Sequence, residues 1–294
     1  MTNLTRRLYS ALLVAIMLVC FFRTTVSAAQ AVTVRIAAGE RDCTAAPLIV
    51  ELPTDLVAAK GLVLTEQDSD AAIPVQRVPG KPQAVWSVSD LKAGQSRTYR
   101  LAASDRETQD DQHVTCRDDG QRLNIDIDGL PVLSYHHAVA SAPQGIAAVF
   151  AKSGHIHPLR TPSGRLVSDD FPPDHAHQHG GFFAWVNTTF EGRDVDFWNQ
   201  AKRQGSVEHV RTLHAVSGPV FAEFAVVLRH SDLTAPDGPK PVLEETWTVR
   251  VYRGKSPFLI DLESEQRAAS DSPLIVNQYH YGGMGLRGAR PWLG

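Results

Sequence analysis

Histidines are concentrated in one part of the sequence, at spacings that suit metal binding or proton transfer. Seven of the twelve histidines lie between residues 136 and 179, and the densest run places His175, His177 and His179 at alternate positions directly after Asp174. In an extended strand, alternate side chains point to the same side. We therefore expect these three imidazoles to share one face and to converge on one point.

Two kinds of chemistry would use such a face. Neutral imidazoles bind divalent metal ions such as Zn, Cu, Ni or Fe, and the candidate ligands are His157, His175, His177 and His179. Alternatively, His175 and His177 act as general acid or base on a substrate, with Asp174 orienting an imidazole. In a third interpretation the histidines only cap a polar turn. The pattern leaves the choice between a metal ion and acid–base chemistry open.

Two later segments are typical of saccharide binding. Asp196, Trp198 and Asn199 lie within four residues, and a Trp face can stack on a sugar while carboxylate and amide groups bond its hydroxyls. Tyr279 and His280 precede a Gly-Gly turn, which predicts substrate binding by Tyr279 and an acid–base role for His280. The alternative for Trp198 is burial in the core, and the alternative for the whole protein is carbohydrate binding without catalysis.

The elements that must position these residues are strands. Apolar residues alternate with polar ones in three segments, which are Val32, Val34, Ile36; Leu123, Ile125, Ile127; and Trp247, Val249, Val251. This period of two, with Gly and Pro turns between the segments, predicts an all-β protein built as a large antiparallel β-sandwich. A polar stretch near residues 102–111 divides an N-terminal β region, 29–115, from a histidine-rich sandwich domain, 116–294.

The first 28 residues are predicted to be a signal peptide for export to the periplasm or the exterior. Arg6 and Arg7 precede an apolar run, and Val26-Ser27-Ala28 offers small residues for cleavage. No later segment is apolar enough to span a membrane. Removing this segment takes the formal charge from −3 to −6, so nucleic acid is not an expected partner. Cys43 and Cys116 would remain, and in an oxidising compartment such a pair is most simply a disulfide, with two free thiols as the alternative.

Several motifs together resemble a known family. They are Asp174-His175-Ala176-His177 followed by Gly180, His157-Pro158-Leu159, Thr161-Pro162-Ser163-Gly164, Asp196-Phe197-Trp198, and the run from Tyr281 to Gly288 that contains Arg287. Over residues 130–294 the chain resembles the exported bacterial PmoA family of saccharide-degrading bacteria. Where that family has His-Arg before the glycine, this chain has Gln178-His179, so the resemblance implies no role for His179.

The resemblance implies a β-sandwich similar to the galactose-mutarotase-type supersandwich of sugar epimerases, lyases and glycosidases. His179-Gly180-Gly181, and Asn277 with His280, are similar to elements of aldose epimerases on that fold. Arg287 is then a substrate-binding candidate, and saccharide is the expected partner. The family pattern also continues beyond Gly294, so we expect the sandwich domain to be truncated at its C-terminus.

Overall fold

β-Strands dominate the structure, as the alternation of apolar and polar residues in the sequence predicts. A computed structural model describes residues 31–67, 69, 71–106, 113–254 and 256–293. The predicted signal peptide, 1–28, lies outside these residues. The chain is almost entirely β-structure, and every strand pair in the described part is antiparallel. The all-β prediction is therefore confirmed.

The N-terminal part is a small sandwich of two sheets. Its elements are β1 (Ala31–Ala37), β2 (Cys43–Glu51), helix α1 (Thr54–Ala58), β3 (Gly61–Glu66), β4 (Ala72–Ile73), β5 (Gln76–Arg77), β6 (Gln83–Leu91) and β7 (Ser96–Ser104). One sheet has the order β1-β7-β3-β4 and the other the order β2-β6-β5. Leu64, Trp86 and Tyr99 fill the space between the sheets, and all three are buried.

The C-terminal part carries the remaining strands. They are β8 (Val114–Asp118), β9 (Arg122–Ile127), β10 (Leu130–His136), β11 (His155–Leu159), β12 (Gly181–Ala184), β13 (Thr188–Phe190), β14 (Arg193–Val195), β15 (Gly205–Val216), β16 (Phe221–Asp232), β17 (Lys240–Tyr252), β18 (Leu259–Ala268), β19 (Leu274–Val276) and β20 (Gly283–Leu286). Short 3-10 helices cover Ala148–Phe150, Gln200–Lys202 and Arg290–Leu293. None of the helices within the described ranges is long and apolar enough to cross a bilayer.

Two sheets of the C-terminal part enclose the main core. A six-stranded sheet has the order β20-β12-β11-β10-β9-β8, and a four-stranded sheet has the order β15-β16-β17-β18. Ile125 and Tyr135 of the first sheet and Phe224 and Trp247 of the second belong to one buried cluster. Burying an aliphatic or aromatic side chain contributes about 1.5–3 kcal/mol, so this cluster is the main source of stability. A third sheet, β14-β13-β19, lies beside it.

The two sandwiches are joined by specific contacts. The Gln76 side chain accepts hydrogen bonds from the backbone N–H groups of Val220 and Phe221 at 3.1 and 3.0 Å, and it donates to the carbonyl of Phe221. Val85 packs with Phe221 and Tyr252 in a small shared cluster. The expected boundary between residues 115 and 116 is displaced, because it falls inside β8, which pairs with β9 of the C-terminal sandwich.

The predicted disulfide is wrong, because the two cysteines lie in different sandwiches. Cys43 is on β2 and packs against the N-terminal core, whereas Cys116 is on β8 and packs against the main core. Both are free thiols. Only the sheet topology decides whether two cysteines approach each other.

Candidate functional site

The histidine-rich region lies on the outer side of the six-stranded sheet. On β11, Ile156 points into the main core, so its neighbours His155 and His157 point to the other side of the sheet. That side is covered by residues 160–180, which are held to the sheet by backbone hydrogen bonds from Arg160 N–H to the carbonyl of Val132 and from Val167 N–H to that of Leu159. His155 is therefore fully buried although it does not face the core.

Beneath this covering segment, two histidines and an aspartate meet. His179 Nδ1 lies 2.7 Å from Oδ1 of Asp170, and His155 Nε2 lies 3.3 Å from Oδ2. The ligating atoms of the three residues all lie within 4.8 Å of one another. Both imidazoles are buried, and the Asp170 side chain is 11% exposed. Two imidazoles and one carboxylate are a donor set that divalent transition metals accept.

Burial and hydrogen bonding control the charges in this cluster. Burial lowers the pKa of His155 to about 3, so its ring is neutral at pH 7. Burial alone would raise the pKa of Asp170, but its side-chain contacts with His155 and His179 outweigh burial and hold the pKa below its ordinary value. The cluster thus presents a carboxylate next to at least one neutral imidazole, which is the ligating form of histidine.

Local contacts fix the position of His179. Gly180 has a φ of +49°, and a Cβ there would lie 2.1 Å from the carbonyl oxygen of Ile156, so the close approach to β11 requires glycine. On the other side of the ring, His179 Nε2 lies 3.0 Å from Oε1 of Gln200. Phe171 packs edge-on against the same ring, with centroids 4.7 Å apart. His179 is held from three directions.

The predicted shared face of His175, His177 and His179 is wrong. Residues 172–179 form two consecutive turns instead of a strand, closed by hydrogen bonds from His175 N–H to the carbonyl of Pro172 and from Gln178 N–H to that of His175. His175 is exposed, His177 is half-buried and His179 is fully buried. Alternate residues lie on one face only in extended backbone, so the turns separate them.

Arg287 holds this double turn in place. Its Nη2 lies 2.7 and 2.8 Å from the two carboxylate oxygens of Asp174, and its Nη1 donates to Oε1 of Gln178 at 2.8 Å. Asp174 in turn contacts Nδ1 of His175 at 2.8 Å. The Arg287 guanidinium, followed by His175, holds the pKa of Asp174 well below its usual range. Asp174 is therefore ionised and can orient His175.

The four-histidine metal site expected from the sequence is not assembled. His157 Nδ1 lies 2.9 Å from Oγ of Ser168, and its pKa is lowered chiefly by burial. His175 and His177 rings lie 5.8 Å apart, with no third ligand grouped with them in the described part of the chain. The residues that do converge include His155 and Asp170, which the spacing argument did not select.

Trp198 is a core residue, so the prediction that its face stacks on a sugar is wrong. It is 9% exposed, its ring lies 4.6 Å from that of Phe182, and a Cβ added at Gly285 would lie 2.8 Å from the indole. The preceding strand, β14, ends at Val195, and the main core continues through Phe197 to the indole. The aromatic residue contributes packing energy here, not a ligand surface.

Asp196 and Asn199 mainly bind each other. Asp196 is buried and accepts hydrogen bonds from the backbone N–H groups of Trp198 and Asn199 and from the Asn199 amide. Lys202 lies 2.8 Å from the same carboxylate. Burial would raise the pKa of Asp196, but these partners, Lys202 first, lower it. The carboxylate shapes the start of the 3-10 helix, and it has little surface for a ligand.

Exposed aromatic side chains line an open cleft near the C-terminus. Tyr279 is 47% and Tyr281 is 40% exposed; their ring centroids lie 5.0 Å apart, and the His280 ring packs against both at 4.4 and 4.7 Å. The cleft has a volume of about 260 Å³, and Asn187 and Asn277 also line it. Tyr281 contacts the edge of the buried indole, with ring centroids 5.4 Å apart. Aromatic rings beside amides suit a polar ligand that has apolar faces.

His177 and the cleft are linked electrostatically. The pKa of His177 is lowered by burial first and then by His175 and His179, while Asp196 opposes the shift. Asp196 also interacts with Tyr279, and Lys202 interacts with both tyrosines. Asp196 is therefore within electrostatic range of both the double turn and the aromatic cleft.

The sequence reasoning missed Asp170 and Gln200, and it did not select His155 as a ligand. Asp170 follows Asp169 in a stretch without periodicity, and Gln200 is a polar residue in a short 3-10 helix. The one local indication of His155 is the His155-Ile156-His157 segment, which forms a strand with both histidines on one face. No local pattern could have paired it with Asp170.

Comparison with known proteins assigns the chain to a family. Residues 122–294, more than half of the chain, match the model described as "Family of unknown function (DUF6807)". This region runs from β9 to the end of the chain and contains every site residue described above. No curated protein shows a significant match. The chain therefore belongs to the DUF6807 family, whose function is unknown.

Proposed function

We propose that this protein is an exported carbohydrate-active enzyme that binds a saccharide in the Tyr279–Tyr281 cleft and uses histidine acid–base chemistry. The observation that carries the proposal is the group of exposed rings of Tyr279, His280 and Tyr281 in a cleft that also presents Asn187 and Asn277. The rings offer faces to the C–H groups of a sugar, and the amides and imidazole offer hydrogen bonds to its hydroxyls.

The double turn supplies the acid–base groups. The lowered pKa of His177 keeps its imidazole neutral at pH 7, so it can accept a proton from a substrate. His175 is oriented by Asp174, which Arg287 keeps ionised, so His175 can donate or accept a proton in a defined direction. Both histidines are accessible enough to meet a ligand, unlike His179.

Two sequence features support this proposal. The predicted signal peptide would place the protein outside the cytoplasm, where it would encounter polysaccharides. The resemblance to the exported PmoA family and to mutarotase-like sugar enzymes favours an epimerase, lyase or hydrolase. A fold does not determine a function, so the proposal depends on the cleft and on the histidines beside it.

The test is a screen of oligosaccharides for binding and for turnover, using the wild type and four variants. Tyr279→Ala should weaken saccharide binding at least about tenfold, since an aromatic–sugar face contact is lost. Trp292→Ala is the matched control, because Trp292 is a 65% exposed aromatic outside the cleft. His177→Gln and His175→Gln should abolish most turnover while retaining binding.

The outcomes test saccharide binding in the cleft and catalysis separately. Binding by the wild type without any turnover would show a carbohydrate-binding protein and reject the enzymatic half. Equal losses in Tyr279→Ala and Trp292→Ala, or no saccharide binding at all by the folded wild type, would reject the cleft as the binding site.

A further inference from the structure

We propose that His155, Asp170 and His179 form a binding site for a divalent transition-metal ion. This centre is distinct from the exposed histidines to which the acid–base role is assigned, and it does not depend on the saccharide proposal. It lies beneath the 160–180 segment on the outer side of the six-stranded sheet.

The hydrogen-bond partners of His179 require a cation at this position. The Gln200 amide is oriented by its Nε2 group, which donates to the carbonyls of Val149 and Ala151 at 3.5 and 3.4 Å. Its Oε1 therefore faces His179 Nε2, and that nitrogen must carry a hydrogen. In the neutral ring the Nδ1 lone pair then points at the Asp170 carboxylate, 2.7 Å away.

A lone pair facing a carboxylate in a buried place is unfavourable unless a positive charge lies between them. Either a second proton on His179 or a metal ion supplies that charge. A metal ion would explain the positions of both histidines, because Nε2 of His155 also points at the Asp170 carboxylate. The other ring nitrogen of His155, Nδ1, is buried without a hydrogen-bond partner, and the ring stacks on that of His136 at 4.5 Å.

The surroundings of His179, unlike those of His155, match those of known metal-binding histidines. A ligating imidazole usually donates its second N–H to a carbonyl or carboxylate, and Gln200 Oε1 supplies that acceptor for His179. Ligand atoms about 2.0–2.2 Å from an ion lie about 3 Å from one another, close to the 2.7 and 3.3 Å contacts found here. Three protein ligands leave coordination positions open for water or another small molecule.

Solvent has a route towards this centre. Gln200 lines a cleft of about 200 Å³, together with Lys152 and Arg203. The Asp170 side chain also retains 11% exposure. An ion can therefore reach the centre through small side-chain movements, without opening the main core.

The experiment uses the whole chain, purified without a histidine tag. Metal content is first measured by mass spectrometry. The protein is then treated with chelator and titrated with Zn²⁺, and with Fe²⁺ under anaerobic conditions, while heat release and Tm are followed. We expect one ion per chain and a Tm that rises with metal concentration, because an ion that binds only the folded state stabilises it.

Three variants and one control locate the ion. Asp170→Asn and His155→Gln should weaken binding at least about 100-fold and remove the metal-dependent rise in Tm. Gln200→Leu keeps all three ligands and should weaken binding about 10- to 100-fold, so it tests the site even if a ligand variant fails to fold. The His175→Ala, His177→Ala double variant is the matched control and should bind metal like the wild type.

Two results would overturn the proposal. Absence of any bound ion in the folded wild type, at Zn²⁺ and Fe²⁺ concentrations up to the millimolar range, would show that a proton satisfies the cluster. Loss of binding in the His175/His177 double variant, with retention in Asp170→Asn, would place the ion in the exposed turn.

Discussion

Arg287 and Asp174 are 113 residues apart in the sequence, yet Nη2 of the arginine lies 2.7 and 2.8 Å from the two carboxylate oxygens of the aspartate. This contact ties the segment after β20 to the double turn that carries His175 and His177. The same guanidinium donates to Gln178, so one side chain spans both turns. The orientation of His175 and His177 therefore depends on a residue more than 100 residues further along the chain.

Replacing Arg287 by lysine should loosen the double turn. A single ammonium group cannot reproduce the planar fork that donates to Asp174 and Gln178 together. We expect turnover of the active saccharide to fall about tenfold or more, because small misplacements of catalytic groups are costly. Hydrogen exchange of the amides of residues 174–179 should become faster, which mass spectrometry measures.

Arg267→Lys is the control for this variant. Arg267 contacts Glu265 on the surface through two nitrogens, and the pair lies on β18. It should leave both turnover and exchange in the turn unchanged. Unchanged exchange in Arg287→Lys would contradict the positioning role.

Trp198 should behave as a core residue. Trp198→Ala removes the indole that packs between Phe182 and Gly285, and we expect the free energy of unfolding to fall by about 3–5 kcal/mol. Urea unfolding of the wild type and the variant measures the difference. A fully stable Trp198→Ala protein that fails to bind saccharide would instead restore Trp198 as a sugar-stacking residue.

Acid should destabilise the fold through His209. Burial, with a smaller contribution from His137, lowers the pKa of His209 to about 4 in the folded state, against an ordinary value near 6.5. Between these values the unfolded chain binds more protons, so stability falls as the pH falls from about 6.5 to 4. His209→Gln should show a shallower fall in Tm over this range, and parallel Tm profiles for both proteins would contradict the assignment.

Cys116 should be unreactive in the folded protein. Burial raises the pKa of its thiol to about 12, with further contributions from Asp118 and Asp126, so almost no thiolate exists at pH 8. Alkylation by iodoacetamide at pH 8 should be at least about 100-fold slower than in urea, as followed by peptide mass spectrometry. A Cys43–Cys116 linkage in unreduced protein would contradict this prediction.

The strand content and the core-facing residues could be predicted from the sequence. The alternating sets in β1, β9 and β17 face inward as expected, and Leu123, Ile125, Trp247 and Val249 are buried. Alternation is a property of local backbone geometry, so a few neighbouring residues are sufficient to reveal it.

The candidate site depends on contacts between distant segments. Local spacing indicated that the histidine-rich region matters, but it could not show that residues 172–179 turn back on themselves, because Arg287 supports that conformation from 113 residues away. Asp170 carries no local signal, and it meets His155 and His179 only where the covering segment lies on the sheet. Local sequence patterns are therefore sufficient to predict that the chain is all-β and where its histidines are concentrated. The tertiary structure alone decided which of those histidines share a centre, since sheet register and the burial of loop segments arise from long-range pairing.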